Sequence, residues 1–250
     1  MTESGYLNAL TEKKAFSRND LLTAMQDSGI KVGDALFKVR LKELLDSGSI
    51  VRVGRNAYCI PPEGVTYYSY VYSELSEKAA EMIQANFPYL EFSIFELVQL
   101  NEFVNHQIAN NIVFISVESD AGQFVFESLT QYFPGKVLVC PNKNIFHQYR
   151  TENMLVIVRL ISEAPKGRNE QAWHARIEKI LVDIMADPLV RSSIGASELP
   201  AVYEQAFHRY VVDESSLFRY ASRRNVKEKI LAFIREETEI HLRTRSSERK

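Results

Sequence analysis

Residues 16–60 read FSRNDLLTAMQDSGIKVGDALFKVRLKELLDSGSIVRVGRNAYCI, and two helical periods followed by an alternating run can be picked out of that stretch. Ser17 opens the first helix, with Asp20 three residues on as a weak form of the capping box and Leu21, Leu22 and Met25 as the inward stripe. Gly29 ends it. A second helix is expected over 33–47, where Phe37, Leu41, Leu44 and Leu45 fall on one face at helical spacing, and Gly48 stops it. Residues 50–53 and 57–60 then alternate around the turn Gly54-Arg55-Asn56, whose backbone freedom suits a tight hairpin. Helix, helix and hairpin in that order predict a winged helix-turn-helix module over residues 1–62.

In such a module the second helix enters the major groove, and its outward side chains meet bases and phosphates. Turning Phe37, Leu41 and Leu44 inward leaves Asp34, Ala35, Lys38, Val39 and Lys42 outward. Lys38 and Lys42 stand one turn apart and Lys31 sits at the helix entrance, so the three are candidate phosphate contacts. Arg40 falls on the flank, where backbone contact, base reading and an ion pair with Glu43 or Asp46 are all open. Arg52, Arg55 and Asn56 at the hairpin have the charge and reach for a minor groove or flanking phosphates. The competing reading of each cation is an ordinary solvated surface charge.

Pro61, Pro62 and Gly64 interrupt regular structure, and Tyr67, Tyr68, Tyr70 and Tyr72 crowd the stretch that follows. Beyond it helices near 73–86, 98–109 and 122–132 alternate with strands near 91–95, 112–117, 136–140 and 154–161, which predicts an α/β sheet domain. After Pro165 the pattern reads as entirely helical, starting with Trp173, Ile177, Ile180, Leu181 and Ile184 on one face and continuing near 199–210, 215–223 and 226–237. The expected division is therefore 1–62, then an α/β plus helical domain over 63–240. A basic tail over 241–250 with almost no apolar side chains is expected to be disordered.

The chain has 250 residues, 46% of them hydrophobic and 25% charged, enough for two modest domains with real cores. Its formal charge of -2 is unevenly spread: residues 1–60 carry +2, residues 61–165 carry -7 and residues 166–250 carry +3. An amino-terminal surplus of only two positive charges implies modest intrinsic affinity for DNA, to be raised by pairing of two copies or by the basic tail. The acidic middle suits a basic protein partner better than a nucleic acid.

The amino terminus lacks a basic region followed by an apolar one, and no stretch approaches the roughly 18 apolar residues of a membrane span. A soluble cytoplasmic protein without membrane contact, a monomer or weak homodimer, is expected. Cys59 and Cys140 are both flanked by apolar residues and read as buried free thiols.

Enzyme signatures are missing: there is no phosphate-binding glycine loop, no His-Glu-x-x-His and no Gly-x-Ser-x-Gly elbow. Glu118 and Asp120 follow a strand and are the best-placed carboxylates, but Gly122 stands where a nuclease would carry lysine, so a cap or turn is the expected role. Asp183, between Val182 and Ile184, is expected to make a buried polar contact. His106, His147, His174, His208 and His241 show no ligand spacing, and neither a metal nor a cofactor is expected.

Three pieces together resemble a known family. LKELLDSGSIVRVGRNAYCI (41–60) is similar to the recognition helix and wing of the AbiEi-like antitoxins, winged-helix regulators of type IV abortive-infection toxin-antitoxin systems. In that family an Arg-Gly-x-Tyr signature is common, and Arg55-Asn56-Ala57-Tyr58 has asparagine in place of the glycine. Residues 91–165, with IVFISVES and VLVCPN, and the helix RIEKILVDIMADP with its Lys-x-Leu-x-Asp core, resemble the family's carboxy-terminal part. The resemblance implies a non-enzymatic protein that binds double-stranded operator DNA, represses its own operon and counteracts a nucleotidyltransferase-like toxin. Two other readings remain: a protein-interaction adaptor that leaves DNA alone, and a degenerate phage-defence nuclease using Glu118 and Asp120.

Overall fold

The computed structural model describes residues 4–167 and 172–244, a mixed α/β protein with two sheets and with helices towards both ends. The chain divides into two compact units, Met1–Tyr67 with Phe207–Ser216 and Ile240–Lys250, and Tyr68–Ala206 with Leu217–Glu239. The first unit is thus discontinuous, unlike the expected uninterrupted stretch over 1–62.

The first unit opens with α1 (Ser4–Asn8), which the sequence reading did not foresee, followed by α2 (Arg18–Asp27) and α3 (Asp34–Asp46). Ser17 caps α2, and its hydroxyl and backbone are reciprocally bonded to Asp20, a complete capping box. Lys13 reaches the same carboxylate at 2.5 Å, and these partners hold Asp20 well below the usual carboxylate range. Leu21 and Met25 of α2 and Phe37, Leu41 and Leu44 of α3 bury the stripes that their spacing marks out. They close over Tyr6, Leu10, Phe16, Ile50 and Tyr58 in a single core, with Leu22 and Leu45 half-buried at its margin.

The antiparallel hairpin of β1 (Val51–Gly54) and β2 (Ala57–Cys59) follows α3, with Asn56 in the left-handed region at φ 53°. Phe16 bridges Tyr58 through two backbone hydrogen bonds of 2.8 and 2.9 Å, so the connection between α1 and α2 lies along β2 as a minimal third strand. A second small core joins Val51, Val53 and Cys59 to Val211. The backbone of Thr66 pairs with Arg209 and Val211 at 3.2 and 2.8 Å, which is how residues 207–216 become part of this unit.

The second unit is built on a four-stranded sheet of order β3-β4-β6-β5, comprising β3 (Phe92–Glu96), β4 (Ile112–Val117), β5 (Val137–Val139) and β6 (Met154–Arg159). Only β3 runs antiparallel to its neighbour. α4 (Glu74–Asn86) and α5 (Gly122–Tyr132) bury Ala79, Ala80, Ile83, Val125 and Leu129 with Ile94, Val113, Ile115 and Leu155 of the sheet. α6 (Lys143–Tyr149), also unforeseen, starts from the side-chain cap of Asn142 and brings Phe146 within 6.2 Å of Phe114.

Two expected helices are corrected. Residues 98–109 form only a short 3-10 turn, Leu97–Glu102, then an irregular loop. The Asn101 side chain holds that loop by accepting from the Ile108 amide at 2.6 Å and donating to its carbonyl at 3.0 Å, offering the backbone an alternative to helix. Trp173 does not begin a helix either, because its carbonyl accepts from the Ile94 amide at 2.7 Å, leaving the segment alongside β3. The helix proper is α7 (Ile177–Ala186), followed by α8 (Pro188–Arg191), α9 (Leu199–Arg209), α10 (Glu214–Arg223) and α11 (Lys227–Glu237).

Two enclosed polar clusters tie the second unit together. The buried carboxylate of Glu96 accepts from the amide and hydroxyl of Ser73 at 2.9 and 2.6 Å, from Ser76, from Tyr70 at 3.1 Å and from Asn111 at 3.3 Å. Asp183, the expected buried contact, receives Lys179 at 2.6 Å and Tyr220 at 2.9 Å, with Arg224 3.7 Å away. No helix among the described residues is long and apolar enough to cross a membrane. Cys59 is buried, and burial raises its thiol above the ordinary range, whereas Cys140 is exposed and departs from the expectation for it.

Candidate nucleic-acid interface

Amphipathic α3 presents one face to the core and the other to solvent, so the side chains turned away from Phe37, Leu41, Leu44 and the half-buried Leu45 are available for contact. Asp34, Ala35, Lys38, Val39 and Lys42 are all exposed, as their rotation away from the stripe requires. Lys38 and Lys42 are separated by about 6 Å of helix rise. Leu36 and Val39 are exposed beside them, at 46% and 53%. Lys31 is exposed at the entrance, beside the glycine Gly33 that caps α3 without a side-chain hydrogen bond.

Arg40 is drawn into local pairing. Its guanidinium lies 2.8 Å from the Glu43 carboxylate, the ion-pair alternative left open by the sequence. That pair offsets the cation locally, so it contributes less to attraction of an anion than Lys38 or Lys42.

The hairpin carries the remaining cations. Arg52 and Arg55 are exposed, and Arg52 Nε donates to the Gly54 carbonyl at 3.1 Å, which steadies its stem along the strand. Asn56 accepts from the Arg18 amide at 3.1 Å through its side-chain oxygen, so the turn is locked to the first residue of α2. Asn56 therefore acts first as a structural latch.

Arg18 is the member that sequence reasoning missed. It lies with Asn19, Asp34, Phe37, Arg52, Asn56 and Tyr58 around an open groove of about 580 Å³. Its guanidinium sits 5.4 Å from the centre of the Phe37 ring, a cation-π arrangement that fixes its position. No spacing marks it in the sequence, because its place in the groove comes from packing on Phe37 of another helix. Two guanidiniums against the single carboxylate of Asp34 leave the groove net positive.

The other residues weighed from sequence do not assemble. Glu118 and Asp120 are exposed in the turn after β4, and no group of three histidine, cysteine or acidic side chains suited to a metal occurs among the described residues. His106 pairs with Glu198 at 2.6 Å in the second unit, and His174 packs against Tyr72 and Trp173, where burial lowers its pKa.

Residues 36–240 match the model of a family described as a family of unknown function, DUF6577. The chain belongs to that family. Membership in DUF6577 takes in Lys38, Lys42 and the whole hairpin, and leaves Arg18 and Lys31 before its first matched position. No curated protein matches the chain. Among solved structures the chain is similar to the RV2827C protein from Mycobacterium tuberculosis, with 11% identity and a TM-score of 0.24 over 93% of this chain and 80% of that one. So slight a likeness carries no functional reading.

Proposed function

We propose that the first unit is a winged helix-turn-helix that binds duplex DNA, with α3 in the major groove and the hairpin as its wing. The observation that carries the reading is the joint exposure of Lys38 and Lys42 on α3 and of Arg52 and Arg55 on the hairpin, in one compact unit. Lysines on the outward helix face meet phosphates, while Leu36 and Val39 offer methyl groups to thymine. Arg18 and Arg52 bring a second pair of cations to the groove beside α3.

In this reading the protein is a non-enzymatic cytoplasmic regulator that recognises an operator. The AbiEi-like resemblance of residues 41–60, 91–165 and 176–188 supports the further assignment of an antitoxin that represses its operon and counteracts a nucleotidyltransferase-like toxin. Co-expression with the product of the adjacent reading frame tests that assignment. Relief of growth arrest is expected, and a harmless neighbour or an unrelieved arrest overturns it.

The DNA reading is tested by replacing Lys38, Lys42, Arg52 and Arg55 together with alanine. Retention of duplex DNA in a mobility shift should fall by at least about a hundredfold, since loss of roughly four phosphate contacts removes a comparable part of the salt-dependent affinity. Unchanged retention removes this face from the interface. Leu36 and Val39 equally suit an adaptor, and an adaptor would bind a protein partner with no salt-sensitive DNA binding at all.

A further inference from the structure

A cleft of about 420 Å³ lies wholly within the second unit, between the loop of residues 104–110 and the loop of residues 193–198. That volume falls among those of small-molecule sites. Local bonds shape both walls. Asn101 fixes the first loop through the Ile108 backbone, and its carbonyl accepts from the Gln107 side chain at 3.2 Å. At the entrance to the second loop the Ser192 and Ser193 hydroxyls donate to the Leu189 carbonyl at 2.9 and 3.0 Å. Glu198 joins the two walls: its carboxylate lies 2.6 Å from His106 Nδ1 and accepts from the Asn105 amide at 3.2 Å. These two bonds, that from His106 first, hold Glu198 below the ordinary glutamate range.

Arg150 is the cation of the cleft. It follows α6, and its guanidinium stands 5.9 Å from the centre of the Phe146 ring, which is itself buried near Phe114. Stacking of this kind orients the planar fork and leaves its N–H groups for an acceptor. Arg150 makes no ion pair among the described residues, and the cleft's one carboxylate, Glu198, is already engaged. By contrast, Arg176 and Arg224, half-buried in the same unit, stand 2.8 Å from Glu178 and 3.6 Å from Asp187. The rest of the lining sorts by chemistry. Val104 and Ile194, only 7% and 8% exposed, offer apolar surface together with Ile108, and the Ser197 hydroxyl has no partner among the described residues.

We propose that this cleft binds a small organic anion, whose carboxylate or phosphate pairs with the Arg150 guanidinium and whose apolar body lies on Val104, Ile108 and Ile194. The fork of an arginine suits either group, because both present two oxygens to parallel N–H donors. Ser197 is a second donor to the anion. His106 and Glu198 are positioning residues that hold the two loops together. The site is independent of the DNA-binding reading, since all of its residues belong to the second unit.

The experiment is a ligand-observed NMR titration of the full chain with benzoate and with phenyl phosphate, which share a ring and differ in the anionic group. Benzyl alcohol and inorganic phosphate serve as the ring and the charge alone. For probes this small a dissociation constant on the order of 1 mM is expected for at least one aromatic anion, about tenfold tighter than either control. The aromatic anion that binds more tightly identifies the group that Arg150 receives. Arg150→Gln should weaken binding at least about tenfold through loss of a charge-assisted hydrogen bond, and Arg150→Lys should recover part of it. If Arg150→Gln does not fold, Ile108→Asp takes its place, setting a like charge in the half-buried wall, with a loss at least as large expected.

The proposal is overturned if neither aromatic anion is bound at about 10 mM, or if either control binds as tightly as they do. Undiminished binding by Arg150→Gln, or by Ile108→Asp in its stead, overturns it as well. The variant with alanine at Lys38, Lys42, Arg52 and Arg55 is titrated in parallel and should bind both probes as the parent chain does. A loss confined to that variant would move the anion to the first unit and leave this cleft without a ligand.

Discussion

In the first unit the cations of α3 and the hairpin stand in water, whereas in the second unit Lys179, Asp183 and Glu96 are enclosed and satisfied by neighbours. On the proposed DNA-binding reading, the difference separates charge kept for recognition from charge used for cohesion. An exposed lysine contributes little to folding, since water and salt screen it, but it is free to meet a phosphate. An enclosed carboxylate has lost its water, and it stays charged only because hydrogen bonds and counter-charges replace that hydration.

Substitutions that strip one partner from an enclosed cluster test this contrast most strongly. Asp183→Ala leaves Lys179 and Arg224 facing each other without their shared anion, and should cost about 3–5 kcal/mol in a denaturant titration. Pairing Asp183→Leu with Lys179→Met should recover much of that loss, which distinguishes a stranded charge from a simple packing defect. Glu96→Gln keeps the shape but sets an amide against the Ser73 and Ser76 donors, with an expected loss of about 1–3 kcal/mol by the same measurement.

Smaller effects are expected in the first unit. Asn56→Ala places an ordinary side chain at φ 53° and removes the acceptor for the Arg18 amide, lowering stability by about 1–2 kcal/mol, while Asn56→Gly should cost clearly less. Alanine at Lys38, Lys42, Arg52 or Arg55 should shift stability by no more than about 0.5 kcal/mol each, however much binding falls. A larger loss would show that the cation serves the fold, and the contrast between the units would fail at that residue.

The smallest effect concerns pH. Asp20 titrates lower when folded than when unfolded, so its contribution to stability is complete above about pH 4 and is lost as the pH falls towards its folded value. Chemical unfolding of Asp20→Asn over that range should therefore show a shallower acid loss than the parent chain. Equal acid sensitivity would mean that the half-exposed contact with Lys13 is screened away.

What could be read from the sequence was the part written in local periods. Phe37, Leu41 and Leu44 define the buried face of α3, and by subtraction its exposed lysines, because a helix repeats every 3.6 residues. The Ser17 and Asp20 capping box is equally local. The region around Leu97, Leu100 and Val104 misled because buried positions at helical spacing also fit a 3-10 turn and a compact loop, and the deciding bonds come from the side chain of Asn101. Trp173 misled for a related reason, since its partner is Ile94 on a distant strand.

The candidate site divides the same way. Lys38, Lys42, Arg52 and Arg55 follow from helix phase and a turn, but Arg18 joins the groove through packing on Phe37. The Glu214 carboxylate, likewise, accepts from the Arg243 and Thr244 amides 29 and 30 residues along the chain, a pairing that no pattern of spacing announces.

Because Val211, Ser215 and Thr244 belong to the same unit as the hairpin, the ribosome must deliver the chain as far as Thr244 before that unit is complete. The nascent hairpin therefore waits with Val51, Val53 and Cys59 lacking their cover while the intervening sheet is being made, an interval in which a chaperone has apolar strand surface to hold.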